Sequence, residues 1–453
     1  MKNCTFFVLV LLIAWSGCKK DPVSTQGSVK TQTLQGNITQ NTVLSANTHY
    51  ILKGQVYVKN NATLTIPAGT TIYAAPNDTL AKKTTLIITR GAKIFINGTV
   101  DQPVVFTSNA VVKAQGDWGA LVILGNAPTN VGQGNAAGLP ISADTQYGGT
   151  NTNDNSGSIS YLRIEYAGGI NPPAEDEWIV DKVAGLSLNG VGSGTTIDNV
   201  MVEHSNDDGF QFVGGTVNAT HLIGYNNGDD DFDIDLGYTG KLQFLISYRT
   251  AASSQALRAN GIESYTDEVP TTNPPISRPV ISNATIIGPQ GNEMVKTNLN
   301  QAVYIRKGTE FAIRNSIIAE YPQGGLMVCN KTRPILLAGV YSEFKNNLVH
   351  SDTTARAFCW DISTAVIPDP QLTAFATNSV NNNTVVAASS DLKLNAMYSS
   401  GAPDLTPGTG SPALTGADFS GPDYSSGFFT NVAYRGAIGS TNWAAASNWA
   451  VWK

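Results

Sequence analysis

Short apolar runs recur through the middle of the chain at nearly one spacing. "LRIEYAGG" begins at Leu162, "VMVEHSND" at Val200, "LIGYNNGD" at Leu222 and "LISYRTAA" at Leu245. The series continues with "IIGPQGN" at Ile286, "IIAEYPQGG" at Ile317, "LVHSDTTA" at Leu348 and "VVAASS" at Val385. Asparagine precedes several of them, at Asn199, Asn283, Asn315 and Asn347. A second apolar pair follows each turn: Leu186 and Leu188, Phe210 and Phe212, Phe232 and Ile234, then Leu257. The steps from Val200 to Leu222 and from Leu222 to Leu245 are 22 and 23 residues. A unit this small cannot bury its own apolar face, so neighbouring units have to stack. Parallel strands stacked about 4.8 Å apart close one continuous core. The expected fold is therefore all-β, a parallel β-helix (solenoid) with loop insertions.

Composition agrees. Charged residues are 14 % of the 453, well under the usual quarter, and 44 glycines with abundant Asn, Thr and Ser replace them. That mixture favours strands and turns over long charge-laced helices. "NATLTIPAGTTIYA" (61–74) and "LIITRGAKIFINGTVDQPVVFTS" (86–108) alternate apolar and polar residues between glycine turns and read as early coils. "NPPAEDEWIVDK" (171–182) and "TDEVPTTNPPISRP" (266–279) read as insertions, and 140–157 as a long polar loop. The net charge of −6 and the lack of a basic run after residue 20 argue against a nucleic-acid partner.

The N-terminus reads as a targeting segment. Lys2 precedes a ten-residue apolar run from Phe6 to Trp15, too short to span a bilayer. Ser16 and Gly17 then lead into Cys18, which resembles the bacterial lipobox, with Trp15 where leucine is usual. The resemblance implies lipidation of Cys18; an ordinary secretory signal with an incidental cysteine is the other reading. The expected organisation is a lipoprotein signal peptide over 1–17, a polar tether over 18–45, the β-helix over 46–440 and a tryptophan-rich cap over 441–453. Trp443, Trp449 and Trp452 would close the open end of the core. Export would leave Cys329 and Cys359 in an oxidising compartment. Either a bond between adjacent coils or two separate buried thiols fits their 30-residue separation.

The lipobox, "LTIPAGTTI", "RGAKIFINGT", "PVVFTS", "GDWGALVILGNAP", "NDDGFQF" and "GSPALTGADF…YRGAIG…W" together resemble the right-handed β-helix surface lipoproteins of the Bacteroidetes. The similarity covers nearly the whole chain and specifies architecture better than chemistry. It implies a right-handed coil and a lipid anchor in the outer membrane, with the helix facing the periplasm or the exterior.

The stretch "NNGDDDFDIDLG" (226–237) holds five aspartates in seven positions, and no lysine or arginine lies between Asn206 and Gly240. At an offset of 22, Asp229 lies over Asp207, Asp230 over Asp208, Phe232 over Phe210 and Ile234 over Phe212. With the apolar pairs inward, alternation turns Asp231, Asp233 and Asp235 outward. The result is a wall of up to seven carboxylates. Two carboxylates about 4.8 Å apart repel by roughly 1 kcal/mol in water and several times that at an effective dielectric near 20. A divalent cation would remove that repulsion. Calcium suits an all-oxygen, irregular ligand set, and no Cys/His cluster has zinc spacing. A solvated acidic turn is the competing reading.

"NDDGFQF" and "NGDDDFDID" are also similar to the "DDG-aromatic-D" calcium segment of certain β-helix pectate lyases. The resemblance implies that calcium held by clustered aspartates binds a uronate carboxylate, and that a lysine or arginine removes the α-proton before β-elimination. Asp229, Asp230 and Asp233 match the ligating aspartates, and Asp207 or Asp208 would supply the ligand from the preceding coil. Asp231 departs from the motif, where glycine stands. For the base, Arg258 falls one coil beyond Asp233 on spacing, with Arg249 and Lys241 as other choices; an arginine beside carboxylates is more often an ion pair. Glu165 and Glu203 share a column and read as an exposed ladder. His204 and His221 are each alone.

The favoured function is a lipid-anchored, cell-envelope β-helix acting as a glycan-binding or structural surface module. The alternative is a calcium-dependent polyuronate lyase, and the third a surface adhesin. Loops at 128–157, 170–182 and 263–279 would wall a groove, with Trp118, Tyr147 and Trp178 as stacking platforms for sugar rings.

Overall fold

The computed structural model describes Met1 and residues 30–76, 83–169, 183–250, 259–267, 272–289, 301–363 and 365–453. Cys18, Trp178 and Arg258 lie outside the described residues. Strands stack in two long ladders, one of 17 strands and one of 12, and nearly every pairing between coils is parallel. The chain is a parallel β-helix.

The register follows the repeat. Val200 pairs with Leu222 and Leu222 with Leu245 in one ladder. Phe210 pairs with Phe232 and Phe212 with Ile234 in the other. All of these side chains are fully buried. They belong to one apolar column that runs from Leu34 to Ala376.

The asparagines have a local reason. Within the strand Thr196–Glu203, pairing to the next coil skips Asn199, which sits at φ 55°. Asn283 and Asn315 repeat this at φ 58° and 57°. Asparagine tolerates the left-handed region because its short polar side chain bonds locally. His221 and Phe244 take the same conformation in the coils between.

Two expectations are corrected here, and the two readings of the cysteines separate. The first coil begins with the strand Lys30–Leu34, which pairs in parallel with Thr48–Leu52, so residues 30–45 are coil rather than tether. The tryptophans do not close an end. Trp449 packs edge-on against Tyr161 at 5.6 Å, Trp452 against Tyr225 at 5.0 Å, and Trp443 against His221 at 4.9 Å, so the C-terminal segment lies along the flank of several coils. At the last coils, Leu372 and Ala376 of the short helix Pro370–Thr377 join the apolar column instead. Finally, Cys329 and Cys359 are free thiols. The register pairs Cys359 with Met327 and Cys329 with Asp361, two positions out of step for a bond.

Candidate metal centre

The acidic stretch forms the loop between the strands Asn218–Tyr225 and Phe232–Asp235. One coil earlier the equivalent loop joins Thr196–Glu203 to Phe210–Val213. Stacking brings the Asp229 amide to the Asp207 carbonyl at 3.3 Å and the Asp230 amide to Asp208 Oδ1 at 3.1 Å. Carboxylate oxygens of Asp207, Asp208 and Asp229 all lie within 4.8 Å of one another. So do those of Asp230, Asp233 and Glu263. The first group joins two adjacent coils, and the second joins the next pair, because Asp233 pairs in register with Glu263.

These carboxyl groups crowd one another with little solvent. Burial, then the neighbouring Asp207, Asp233, Asp229 and Asp230 charges, hold the Asp208 carboxyl well above the usual carboxylate range. Burial followed by the Glu263 and Asp229 charges does the same to Asp230, and burial with Asp235 and Glu263 to Asp233. Burial also raises Glu263, against the pull of Arg306, which donates to it at 2.9 Å. Asp233 Oδ2 accepts from Gln211 at 3.2 Å, while its buried Oδ1 has no hydrogen-bond partner among the described residues. Convergent, oxygen-only carboxylates, with the Asp233 Oδ1 buried and unsatisfied, are a ligand set that could hold a hard divalent cation such as calcium.

The residues singled out in the sequence divide. Asp233 faces outward between the inward Phe232 and Ile234. Asp235 also lies outside the core but stands apart from both triads, its Oδ2 accepting from the Tyr265 hydroxyl at 3.1 Å. Asp231 is a correction: it precedes the strand, turns inward and is fully buried. Arg249 is a correction for the same reason. It is fully buried, 3.3 Å from Asp231, and faces no solvent where a substrate could lie. Arg258 lies outside the described residues, but the place one coil beyond Asp233 belongs to Glu263. The spacing between paired positions grows from Gln211–Asp233 to Asp233–Glu263, so counting at the shorter period points to the wrong residue.

The sugar platforms are corrected too. Trp118 is fully buried, stacks on Phe106 at 6.2 Å and donates its indole N–H to the Glu165 carbonyl at 2.8 Å. Tyr147 is buried against Gly134, where a Cβ would come within 2.6 Å of the ring. Glu165 and Glu203 do pair in register, yet both are buried rather than an exposed ladder. Lys453 Nζ bridges them at 3.2 and 2.8 Å, and Arg163 donates to Glu165 at 2.6 Å. Burial opposes the Glu165 charge, but Arg163 and Lys453 outweigh it and bring the carboxyl down to about 2. His221 Nδ1 lies 2.7 Å from Asp198 Oδ1, and His204 stacks on Tyr166 at 5.6 Å.

Two residues were not legible beforehand. Glu263 shows only once the coil length is known. Lys83, far upstream, is buried, and its Nζ has no hydrogen-bond partner among the described residues. Burial brings its ammonium down to about 8, with the Asp207 charge opposing. The Asp207 charge is felt at Lys83, and no local pattern connects residues this far apart in sequence.

Stacked coils of parallel strands, with two carboxylate triads gathered on successive loops, place the chain in the class of parallel β-solenoids. The chain belongs to the family of the pectate-lyase-like β-helix domain, whose model matches residues 36–398. No curated protein and no solved structure matches it at a significant level.

Proposed function

We propose that the protein is a cell-envelope β-helix module that binds an acidic polysaccharide through calcium held on the two carboxylate triads. The observation that carries this reading is the gathering of Asp207, Asp208 and Asp229, and of Asp230, Asp233 and Glu263, into sets within 4.8 Å. Without a cation such a wall repels a uronate; with one it presents positive charge to the sugar carboxylate. Membership in a pectate-lyase-like family supports a carbohydrate ligand. Calorimetry with polygalacturonate and alginate fragments, with calcium and with chelator, tests it. Calcium-dependent heat with acidic but not neutral glycans is expected; equal binding to both, or none to either, would sink it.

A lipid anchor at Cys18, in the manner of the Bacteroidetes surface lipoproteins, would tether the module to the outer membrane. Mass spectrometry of the mature N-terminus is expected to find an acylated cysteine, lost in Cys18→Ala.

The second reading is a calcium-dependent polyuronate lyase. Membership in the pectate-lyase-like family is the observation that favours it; the Lys83 Nζ and Arg249 are both buried, so neither is assigned as its base. Ultraviolet absorbance from unsaturated product, appearing with calcium and absent in chelator, is the expected result under this reading. A flat trace across a uronate panel leaves the binding module alone.

A further inference from the structure

The interior of this solenoid is apolar along most of its length, yet beneath the acidic loop it holds a fully buried ion pair. Arg249 Nε lies 3.3 Å from Asp231 Oδ2, and both side chains are shut off from solvent. A buried pair of this kind is usually no more stabilising than apolar residues of similar volume, since desolvating both charges offsets their attraction. Its contacts suggest another role. Arg249 Nη1 donates to the Asn227 carbonyl at 2.7 Å, and Nη2 to the Asp229 carbonyl and to that of Asn260 at 3.1 Å. Asn227 and Asp229 belong to the acidic loop, and the Asn260 amide donates in turn to Asp230 Oδ1 at 2.6 Å. Asp231 closes the arrangement from the loop's other end, accepting from Asn227 Nδ2 at 2.8 Å and from the Ser247 hydroxyl at 2.5 Å.

The fold makes room for this. The inward column that contains Ile164 and Val202 continues as Gly224 and Ser247 in the next two coils. A Cβ on Gly224 would fall 2.6 Å from the Asp231 Cβ, so any larger residue there would expel the carboxylate. Glycine and serine open the core at the coils where the acidic loop needs support from below.

We infer that Arg249 and Asp231 are positioning residues: an interior strut that fixes the backbone of residues 227–231 and 260, so that the Asp229 and Asp230 carboxylates converge on their neighbours. The forked guanidinium suits the task because it reaches several carbonyls from one rigid plane. The inference rests on the calcium reading above and adds that affinity is set from inside the coil, by groups that never touch the ion.

The test is the double variant Arg249→Met/Asp231→Leu, which replaces the pair by apolar side chains. Its melting midpoint in chelator should stay close to that of the parent, while calcium affinity by calorimetry falls by about 10- to 100-fold, the usual consequence of losing the outer support of a metal site. An unchanged affinity would overturn the inference. Should the double variant not fold, Arg249→Lys carries the same test, since it keeps the charge and loses the fork; affinity equal to the parent's again overturns it. If the parent protein itself gives no calcium heat, the calcium reading fails on its own. The strut is then judged by amide hydrogen exchange. Protection lost across 226–231 in the variant, with other coils unchanged, supports it, and unchanged protection there refutes it.

Discussion

Phe210 and Phe232 stack with ring centroids 5.1 Å apart and planes 15° from parallel, one coil upon the next. The pair locks the register that superimposes Asp207 and Asp208 on Asp229 and Asp230. Truncating Phe232 to alanine should therefore do two things. It should cost about 3–5 kcal/mol of stability, as for other large-to-small changes in packed cores, and it should weaken calcium binding by loosening the stack of loops. Denaturant unfolding and calorimetry measure the two effects; loss of stability with full calcium affinity would show that the loops hold their register without the rings.

Asp233→Asn separates repulsion from ligation. The substitution removes one charge from the triad with Asp230 and Glu263 while keeping an oxygen for Gln211. In chelator the variant should melt higher than the parent, by an amount equivalent to roughly 1–3 kcal/mol, because a buried like-charge contact is gone. In calcium the order should reverse, since the parent gains binding energy that the variant has lost. Melting curves at matched calcium concentrations decide it, and identical shifts in both proteins would count against ligation by Asp233.

Much of this was open to reading in the sequence, and what was hidden has identifiable causes. Period and alternation placed Val200 under Leu222 and Phe210 under Phe232, because inward apolar columns constrain a solenoid at every coil. They failed at Asp231, since alternation holds only within the strand and this residue lies just before it. They failed at Arg258, since the spacing between paired positions grows from Gln211–Asp233 to Asp233–Glu263 and the register runs to Glu263. Trp118 and Tyr147 looked available, and the C-terminal tryptophans looked like an end cap, because what an aromatic packs against depends on distant parts of the chain. The electrostatic influence of Asp207 on Lys83 arises by tertiary geometry alone.

The two acid clusters give opposite pH dependences. Asp208, Asp230 and Asp233 have carboxyls raised in the folded state, so the native protein holds protons that the unfolded chain releases. Their contribution is intact below the ordinary aspartate range and is lost as pH rises through the raised values. Glu165, brought down to about 2, stabilises above the ordinary glutamate range and loses that contribution as pH falls toward 2. In chelator, stability should peak at mildly acidic pH and decline toward neutrality; calcium should flatten or invert the neutral limb, because it binds the ionised carboxylates. Melting midpoints across pH with and without calcium provide the check, and a chelator profile that climbs from mildly acidic to neutral pH would contradict the assignment.

Lys83→Met should distinguish the anion's partner from the cation's. The substitution removes a buried ammonium that has no hydrogen-bond partner among the described residues, so the fold should tolerate it. Calcium affinity should hold or rise, because a positive charge near Asp207 is gone. Affinity for a calcium-dependent uronate ligand should stay close to the parent's, because the Nζ is buried and does not meet the ligand. A loss of about tenfold or more, the cost of a charged hydrogen bond, would instead place Lys83 in contact with the ligand.

Trp449→Ala tests whether the C-terminal segment clads the flank or closes an end. The side chain is fully buried against Tyr161, and Arg163 Nη1 donates to the carbonyls of Asn448 and Trp449 at 2.7 and 3.0 Å. Lys453 is anchored a few residues on by Glu203 and Glu165. Beneath the segment lie Met201, Ile223 and Ile246, outward-facing apolar residues of successive coils that a bare flank would expose to water. The alanine variant should lose about 3–5 kcal/mol, and hydrogen exchange should quicken first along these central strands. An end cap would behave differently: its loss would unravel the last coil around Phe344, Phe358 and Leu372 while the centre stayed protected. Exchange confined to that end would therefore refute the flanking role, whereas exchange along the strands at 200–203, 222–225 and 245–248 would show that the tail seals a lateral seam shared by several coils.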